Sequence, residues 1–250
     1  MAPPPEYTLS PAYLSDIPAM LPVYHSAFTD DPLSSYTFPR SRIAPEEFTR
    51  WLTTRFTMLF HRPETRYFKV EKDGELVALA RWSFPYRLSE EEKAKRASDK
   101  EEKKKRDERE GRDTDWPVGA NDECCREKFG GIGRAFERFV EDREDVYGIY
   151  FLLTYLSYIC HVNGCVVLGL IGVSQEHRRK GLATMLINHV LDMADQEGKQ
   201  TYLDATDEGW FVYSKLGFEV KGTVEIDLTK YGGEGKARNR NMIRQPKKIE

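Results

Sequence analysis

One short segment constrains the fold of this chain more than any other. An apolar run that ends at Val173 leads into the basic turn Arg178-Arg179-Lys180-Gly181-Leu182-Ala183, and an amphipathic stretch then runs from Leu182 to Glu197. This order predicts a strand, a glycine-containing turn and a helix, and therefore an α/β fold. The first amides of a helix lack intrahelical partners and carry partial positive charge, so the turn predicts a phosphate-binding site.

Other phosphate-binding loops fit the sequence less well. The Walker pattern Gly-x-x-x-x-Gly-Lys-Ser/Thr does not occur. Gly131-x-Gly133 lacks the third glycine of a dinucleotide fingerprint and follows no apolar strand, so Gly130 to Gly133 is predicted to be a turn before a helix. A basic run on its own usually lies on a solvated face, but here the Gly-x-Ala spacing and the following helix favour a binding loop.

The arrangement Arg178-x-x-Gly181-x-Ala183 resembles the acyl-coenzyme A loop of the GNAT acyltransferases. Downstream, the predicted strand Thr201 to Thr206 and the motif Tyr213-x-x-Leu216-Gly217-Phe218 are similar to the same family. Residues 27–32 and 228–244 resemble fungal small-molecule members. The resemblance is strong from Val173 to Leu228 and weaker in the N-terminal half. It implies a GNAT fold, in which a central mixed, mostly antiparallel sheet is flanked by helices.

The resemblance also implies acetyl-CoA as co-substrate. In that family, one strand separates from its neighbour and its backbone binds the pantetheine arm; here that strand ends at Ile171-Gly172-Val173. The loop and the first turn of the helix would hold the pyrophosphate through their amides. These expected cofactor-binding residues are Arg178, Arg179, Lys180, Gly181, Leu182, Ala183 and Thr184. Ile171 and Val173 are also ordinary core residues by type, and the two roles are compatible because their backbone would bind.

Two residues are predicted to act in catalysis. Tyr213 is expected to protonate the leaving thiolate as a general acid, although it is also a plausible packing partner of Phe218. Asp204, on the strand beside the expected site, is the first candidate for the base, although a carboxylate there can also serve only to bind backbone. Weaker candidates for the base are Asp30, Asp31, Glu208 and His177. Amines also lose protons to water, so a base residue is not required.

The predicted function is acetyl-CoA-dependent N-acetyl transfer, by direct attack of an acceptor amine on the thioester. A small amine is favoured as the acceptor, and a peptide is the other possibility. One alternative is a non-catalytic or regulatory protein that binds acyl-CoA. Another is a membrane-attached protein, because the 28 residues from Val146 to Val173 carry no Asp, Glu, Lys or Arg. Glycines and polar residues in that stretch argue against a membrane span.

Composition limits the other functional classes. A formal net charge of −3 gives no global attraction to nucleic acid or to anionic membranes, so neither is expected as a partner. The four cysteines have neither the density of a disulfide scaffold nor zinc-ligand spacing, and no metal is expected. The N-terminus lacks the pattern of a secretory signal, which predicts a cytoplasmic protein. Monomer and homodimer remain equally open.

The chain is expected to form one GNAT domain with tails and an insertion. Residues 1–14 are predicted as a tail, 15–88 as the N-terminal part of the domain, 116–231 as its acyl-CoA-binding part, and 232–250 as a C-terminal tail with a possible last strand. Residues 89–115 are predicted as a charged insertion, helical or disordered. Within it, Ser89 to Asp113 hold ten Lys/Arg and ten Asp/Glu and almost nothing apolar, so they cannot cover a core.

The stretch before the loop offers two candidate strands, Ile149 to Tyr158 and Val166 to Val173, where the family pattern needs one. Residues 161–164 between them are typical of a turn. Removing Ser157 to Leu170 would leave a single strand that runs into Val173. We therefore hypothesise that Ser157 to Leu170 is an insertion, and a translated intron is one origin for it.

Overall fold

The computed structural model of the protein describes residues 6–139 and 165–247. Strands and helices are interspersed along the chain, as the sequence predicts for an α/β protein. The strands are β1 (Tyr7–Pro11), β2 (Thr65–Lys72), β3 (Glu75–Ser83), β4 (Cys165–Val173), β5 (Gln200–Thr206), β6 (Glu219–Asp227) and β7 (Lys236–Arg244). The helices are α1 (Ile17–Ala27), α2 (Pro32–Thr37), α3 (Pro45–Phe60), α4 (Glu90–Glu110), α5 (Asp122–Phe139), α6 (Leu182–Gln196) and α7 (Trp210–Lys215).

The described strands form one seven-stranded sheet in the order β1-β2-β3-β4-β5-β7-β6. β4 and β5 are parallel, and every other neighbouring pair is antiparallel. The parallel pair is joined through α6, which is the crossover helix that parallel strands require. The predicted mixed, mostly antiparallel sheet is therefore confirmed.

The two faces of the sheet are covered by different helices. Ala80 and Trp82 of β3 face α6, where Leu186 and Val190 complete the larger hydrophobic cluster. Leu79, between them in sequence, lies in a second cluster with residues of α1 and α3. Alternate side chains of a strand point to opposite faces, so one strand serves both clusters.

Local sequence signals explain several element boundaries. Pro45 begins α3, because proline suits the first turn of a helix. Asp73 and Gly74 join β2 to β3 with φ angles of 52° and 83°, which are the left-handed conformations of a tight hairpin. Ser89 caps α4 and forms a capping box with Glu92, so the predicted charged segment begins as an exposed helix.

Two local expectations need correction, and one possible strand is present. Gly130 to Gly133 lie inside α5 rather than in a turn, and a Cβ on Gly131 would lie only 2.6 Å from Val224 Cγ1. Glycine at that position therefore lets α5 approach β6 closely. The strand β1 lies within residues 1–14, which were expected to be a tail, and pairs with β2. The possible last strand is present as β7, in the interior of the sheet between β5 and β6.

The long uncharged stretch is only partly within the described residues. The predicted strand Val166 to Val173 is present as β4, which begins at Cys165. Residues 165–170 of the hypothesised insertion thus take part in the sheet. The other candidate strand, Ile149 to Tyr158, the predicted turn at 161–164 and residues 157–164 of the insertion lie outside the described residues.

Candidate active site

The sheet opens between β4 and β5. Their parallel pairing begins at Cys165 and Gln200 and ends at Leu168 and Leu203, although β4 continues to Val173 and β5 to Thr206. The separation coincides with an irregularity in the β3–β4 register, where Gly169 is the extra residue. Such a bulge bends the strand that carries it. Among the described residues, no strand pairs with the β5-facing edge of β4 beyond Leu168.

The register of β3 and β4 shows which backbone groups face this opening. The amide of Ser174 donates to the carbonyl of Val77 at 3.0 Å. Hydrogen-bonded pairs alternate along an antiparallel ladder, so Gly172 also bonds to β3. The N–H and C=O groups of Ile171 and Val173, which lie between these positions, are turned toward β5. They form an extended row of donors and acceptors along the opening.

The N-terminus of α6 lies beyond the end of β4. Its N-cap is Gly181, with φ 83°, a left-handed conformation that glycine adopts without a steric penalty. No side chain of the described residues caps the helix, and the first intrahelical bond runs from the Met185 amide to the Gly181 carbonyl. Geometry thus leaves the amides of Leu182, Ala183 and Thr184 without intrahelical partners. This helix end can accept an anion through these amides and the helix dipole.

The loop before α6 is bonded to the end of α1. The backbone N–H of Gln175 donates to Ser26 Oγ at 2.9 Å, and the Gln175 side-chain Nε2 donates to Asp30 Oδ2 at 2.6 Å. The guanidinium of Arg178 donates to the carbonyl of Ala27 at 2.9 Å and lies 3.6 Å from Asp30. The side chain of Arg178 is therefore committed partly to α1, while the loop backbone remains available to a ligand.

A cleft of about 270 Å³ joins these features. Its walls come from the end of α1, the end of β4, the start of α6 and the segment from β5 into α7. Six of the residues predicted for the site line it: Ile171, Gly172, Val173, Arg178, Ala183 and Tyr213. Asp31 and Glu208, two of the weaker candidates for the base, line it as well. One cleft thus collects the expected pantetheine strand, part of the phosphate loop and the expected acid.

Tyr213 is held on α7 with its ring largely buried. The ring packs edge-on against Phe218, with ring centroids 6.0 Å apart. A Cβ on Gly209 would lie 3.0 Å from the Tyr213 ring, so glycine is needed one turn before it. Burial raises the pKa of the Tyr213 hydroxyl above its ordinary value, which keeps it protonated. Packing and proton donation are therefore compatible roles for this residue.

Asp204 is the first residue of β5 after its last pair with β4. Its Oδ1 accepts hydrogen bonds from the Tyr202 hydroxyl, at 2.9 Å, and from the side-chain amide of Asn241. Burial raises the pKa of Asp204 from 3.8 to about 7, against the smaller lowering effect of these two donors. A carboxyl with such a pKa can exchange a proton near neutral pH.

Not every predicted site residue lines the cleft. Arg179 is exposed and has a φ of 61°, which is unusual for a residue with a side chain, and Lys180 is half-buried. Leu182 is 1% exposed in the core, so only its backbone is available to a ligand. Gly181, Thr184 and Asp204 also lie outside the residues that line the cleft. His177 receives a hydrogen bond from, or donates one to, the Tyr7 hydroxyl at 3.0 Å, which ties the loop to β1.

Sequence reasoning missed several residues around the opening. Arg81 is buried in β3 and its Nη2 donates to the carbonyl of Gly169 at 2.9 Å. A lone arginine within the apolar run from Leu76 to Phe84 was the available signal. Asn241, which bonds to Asp204, is fully buried on β7. Its pairing with Asp204 across β5 and β7 depends on a strand order that the sequence does not reveal.

Comparison with solved structures identifies this architecture. The chain aligns with the structure described as histone acetyltransferase HPA2 and related acetyltransferase from Corynebacterium glutamicum, with a TM-score of 0.53, 18% identity and 98% of each chain covered. The protein smu.2055 of Streptococcus mutans aligns with a TM-score of 0.50 and 13% identity, over 95% of this chain and 98% of that one. At such identities, these structures are evidence for the fold alone.

The chain has the GNAT fold. The model of the acetyltransferase (GNAT) family matches residues 115–218, which include β4, the loop, α6 and Tyr213. This match and the fold of the solved structures agree on the GNAT architecture. None of the curated proteins matches the chain. The resemblance to fungal members remains a prediction.

Within residues 6–139 and 165–247, no helix has both the length and the apolar character to cross a membrane. The same residues contain no group of three or more His, Cys, Asp or Glu side chains arranged to hold a metal ion. The three cysteines among them, Cys124, Cys125 and Cys165, are buried and are not in disulfides.

Proposed function

We propose that this protein is an acetyl-CoA-dependent N-acetyltransferase that transfers an acetyl group directly to an amine. The observation that carries the proposal is the cleft, which joins the opened edge of β4, the start of α6 and the buried hydroxyl of Tyr213. A thioester donor needs an extended row of backbone groups, an anion site and a proton donor in one place. The GNAT fold and the family match support the same class of reaction.

The residues present fit acetyl-CoA. Ile171 and Val173 offer backbone donors and acceptors toward the opening, where an extended pantetheine arm could bond to them. The uncapped amides from Leu182 to Thr184 offer donors for a pyrophosphate, and Gly181 leaves room beside them. Arg178, Arg179 and Lys180 add positive charge around this end of the cleft. The donor supplies an activated acyl group, since a thioester is readily cleaved by an amine.

Residues of the protein then position the two substrates and transfer the protons that the reaction requires. The β4 backbone holds the thioester carbonyl carbon within reach of the acceptor nitrogen, and an amide of Ile171 or Val173 faces the carbonyl oxygen. As the C–N bond forms and the C–S bond breaks, the Tyr213 hydroxyl gives its proton to the leaving sulfur. The proton lost by the acceptor nitrogen passes to Asp204, directly or through water.

The acceptor that we favour is a small amine. Asp31, on the connection after α1, and Glu208, on the connection after β5, both line the cleft. Acidic side chains at the entrance of a cleft raise the local concentration of cations such as protonated amines. A peptide amine is the second possibility, because the described cleft is open at its surface and carries no contact that selects for acceptor size.

A non-catalytic protein that binds acyl-CoA is the alternative function. One observation favours it, namely that Asp204, the proposed base, lies outside the residues that line the cleft. The two functions share the donor site and differ in turnover. Calorimetry with acetyl-CoA tests the shared site, and thiol release with a panel of polyamines, arylamines, aminoglycosides and peptides tests turnover. Binding without thiol release on any amine would favour the alternative, and the absence of binding would refute both.

Substitution of Tyr213 tests the proposed acid. Tyr213→Phe removes the hydroxyl but keeps the ring against Phe218, so the fold and the donor site should be preserved. We expect kcat to fall by about 10²- to 10⁴-fold with an unchanged Kd for acetyl-CoA. Tyr231→Phe is the matched control, because it removes a hydroxyl bonded to Glu127, away from the cleft. Equal turnover of Tyr213→Phe and wild type would exclude Tyr213 as the acid.

A further inference from the structure

We propose that Arg81 is a positioning residue that holds the opening between β4 and β5 in its binding shape, by donating to the Gly169 carbonyl. This inference rests on the proposed function, because the ligand of the opening is taken to be acetyl-CoA. Arg81 lies on β3, one strand away from the opening. It touches neither the expected donor nor the proposed acid, so its effect would pass through β4.

The direction of the Gly169 carbonyl follows from the strand register. Leu170 is paired with Arg81, at a position that bonds to β3 by the same alternation that applies to Gly172. The Leu170 N–H therefore faces β3. A trans peptide points its C=O opposite to the N–H of the next residue, so the Gly169 carbonyl faces β5. It is the first such carbonyl beyond the last β4–β5 pair, and β5 provides no donor for it.

The Arg81 guanidinium supplies that donor. Its Nη2 lies 2.9 Å from the Gly169 oxygen, and its side chain is on the face of the sheet covered by α1 and α3. A Cβ on Gly169 would lie 2.5 Å from the same Nη2, so a side chain at position 169 would displace the guanidinium from its present place. Arg81 and Gly169 thus form one unit at the point where the two strands part.

Arg81 is a charged residue in a largely apolar core, and apolar packing does not explain why it is buried there. The residue is 6% exposed, and it forms no ion pair within the described residues. A buried guanidinium without a carboxylate partner is costly, and an apolar side chain would normally be more stable in its place. The Gly169 carbonyl lies beyond the last β4–β5 pair and needs a hydrogen-bond donor, which explains why a guanidinium is buried at position 81.

The variant Arg81→Met tests the inference, because methionine keeps much of the apolar stem but cannot donate. We expect the Kd for acetyl-CoA to rise about tenfold, from the loss of one buried hydrogen bond that shapes the site. Arg244→Met is the matched control. Arg244 is also a buried arginine, and it binds Asp195 with two bonds of 2.7 Å on another part of the sheet. It should lose stability and keep its affinity for acetyl-CoA.

A double-mutant cycle provides a second measurement. Gly169→Ala should weaken binding by displacing the guanidinium, and Arg81→Ala should weaken it by removing the donor. If the two residues act as a unit, the double variant should bind about as weakly as the weaker single variant, rather than showing the product of both effects. Independent effects that multiply would contradict the proposal.

Hydrogen exchange separates failure of this inference from failure of the proposed function. Arg81→Met should speed exchange of the Leu170 and Gly172 amides, which bond to β3, more than Arg244→Met does. Wild-type protein that does not bind acetyl-CoA would refute the proposed function, and the exchange result would still decide the role of Arg81. Unchanged acetyl-CoA affinity and unchanged exchange in Arg81→Met would overturn the inference.

Discussion

Asp204 combines burial with a position at the point where two strands separate. Because burial raises its pKa to about 7, the ionised form that can take a proton becomes dominant only above that pH. We predict that kcat/KM rises about tenfold per pH unit below pH 7 and levels off above it. Asp204→Asn should be slower and should lose this rise. An identical pH profile in the variant would show that Asp204 is not the base.

The same carboxyl should leave a signature in stability. Its folded-state pKa lies above the ordinary value of 3.8, so the native state retains a proton that the unfolded state releases. The contribution of Asp204 to stability is therefore lost as the pH rises from about 4 through about 7. Relative to Asp204→Asn, the wild type should lose at most about 4 kcal/mol across this window. Denaturant unfolding at several pH values measures the difference, and a constant difference would argue against the raised pKa.

Gly181 and Gly198 flank α6 and allow a controlled test of the phosphate loop. Both have positive φ angles, 83° and 64°, so alanine at either should cost about 1–2 kcal/mol in folding free energy. Only Gly181 precedes the uncapped amides. We predict that Gly181→Ala raises the Kd for acetyl-CoA while Gly198→Ala leaves it unchanged, as measured by calorimetry. Equal acetyl-CoA affinities in the two variants would show that the N-terminus of α6 does not bind the donor.

At the scale of elements, α4 is held to the domain by charge rather than by apolar packing. None of its residues is buried, and its inward side is charged. Arg96 donates to both carboxylate oxygens of Glu64 at 3.0 Å, and Glu64 is 1% exposed. Farther along, Lys103 bonds Asp113 at 2.8 Å. Contacts of this kind are screened by salt, whereas hydrophobic packing is not weakened by it.

We therefore predict that α4 loosens at high ionic strength before the rest of the domain does. In 1 M salt, where the Debye length is about 3 Å, the amides of α4 should exchange faster and those of α6 should not. Glu64→Gln should have the same effect at low salt and destabilise the protein by about 3 kcal/mol. Glu90→Gln is the control, since Glu90 is 90% exposed and pairs only with Lys93. Exchange in α4 that is insensitive to both changes would refute electrostatic docking.

At the scale of the whole molecule, periodicity and motif spacing predict where helices and strands lie in the sequence better than they predict which of them pack together. The hairpin from β2 to β3, the helix after Pro45, the charged helix and the segment from β4 to Tyr213 all follow from local signals. β1 escaped prediction because five residues at the edge of a sheet carry too short a pattern. Gly130 to Gly133 misled the prediction because the packing of α5 against β6 outweighs the low helix propensity of glycine.

In the candidate site, too, the features that depend on local sequence were predicted and those that depend on strand pairing were not. Its loop and its tyrosine could be found from the sequence, because each belongs to a short contiguous motif. Arg81, Asn241 and the separation of β4 from β5 could not, because they depend on which strands become neighbours. The roles of Tyr213 and Asp204 remain predictions that the variants above decide.

The bonds from Gln175 and Arg178 to the end of α1 have a consequence for binding. These bonds couple the loop that faces acetyl-CoA to α1, which borders the acceptor side of the cleft. A ligand bound on one side should therefore change the binding affinity on the other. Thermodynamic reciprocity then requires that each substrate alter the affinity for its partner by the same factor. We expect coenzyme A, which cannot react, and the acceptor amine each to lower the Kd of the other by the same factor, as calorimetry with both ligands would measure.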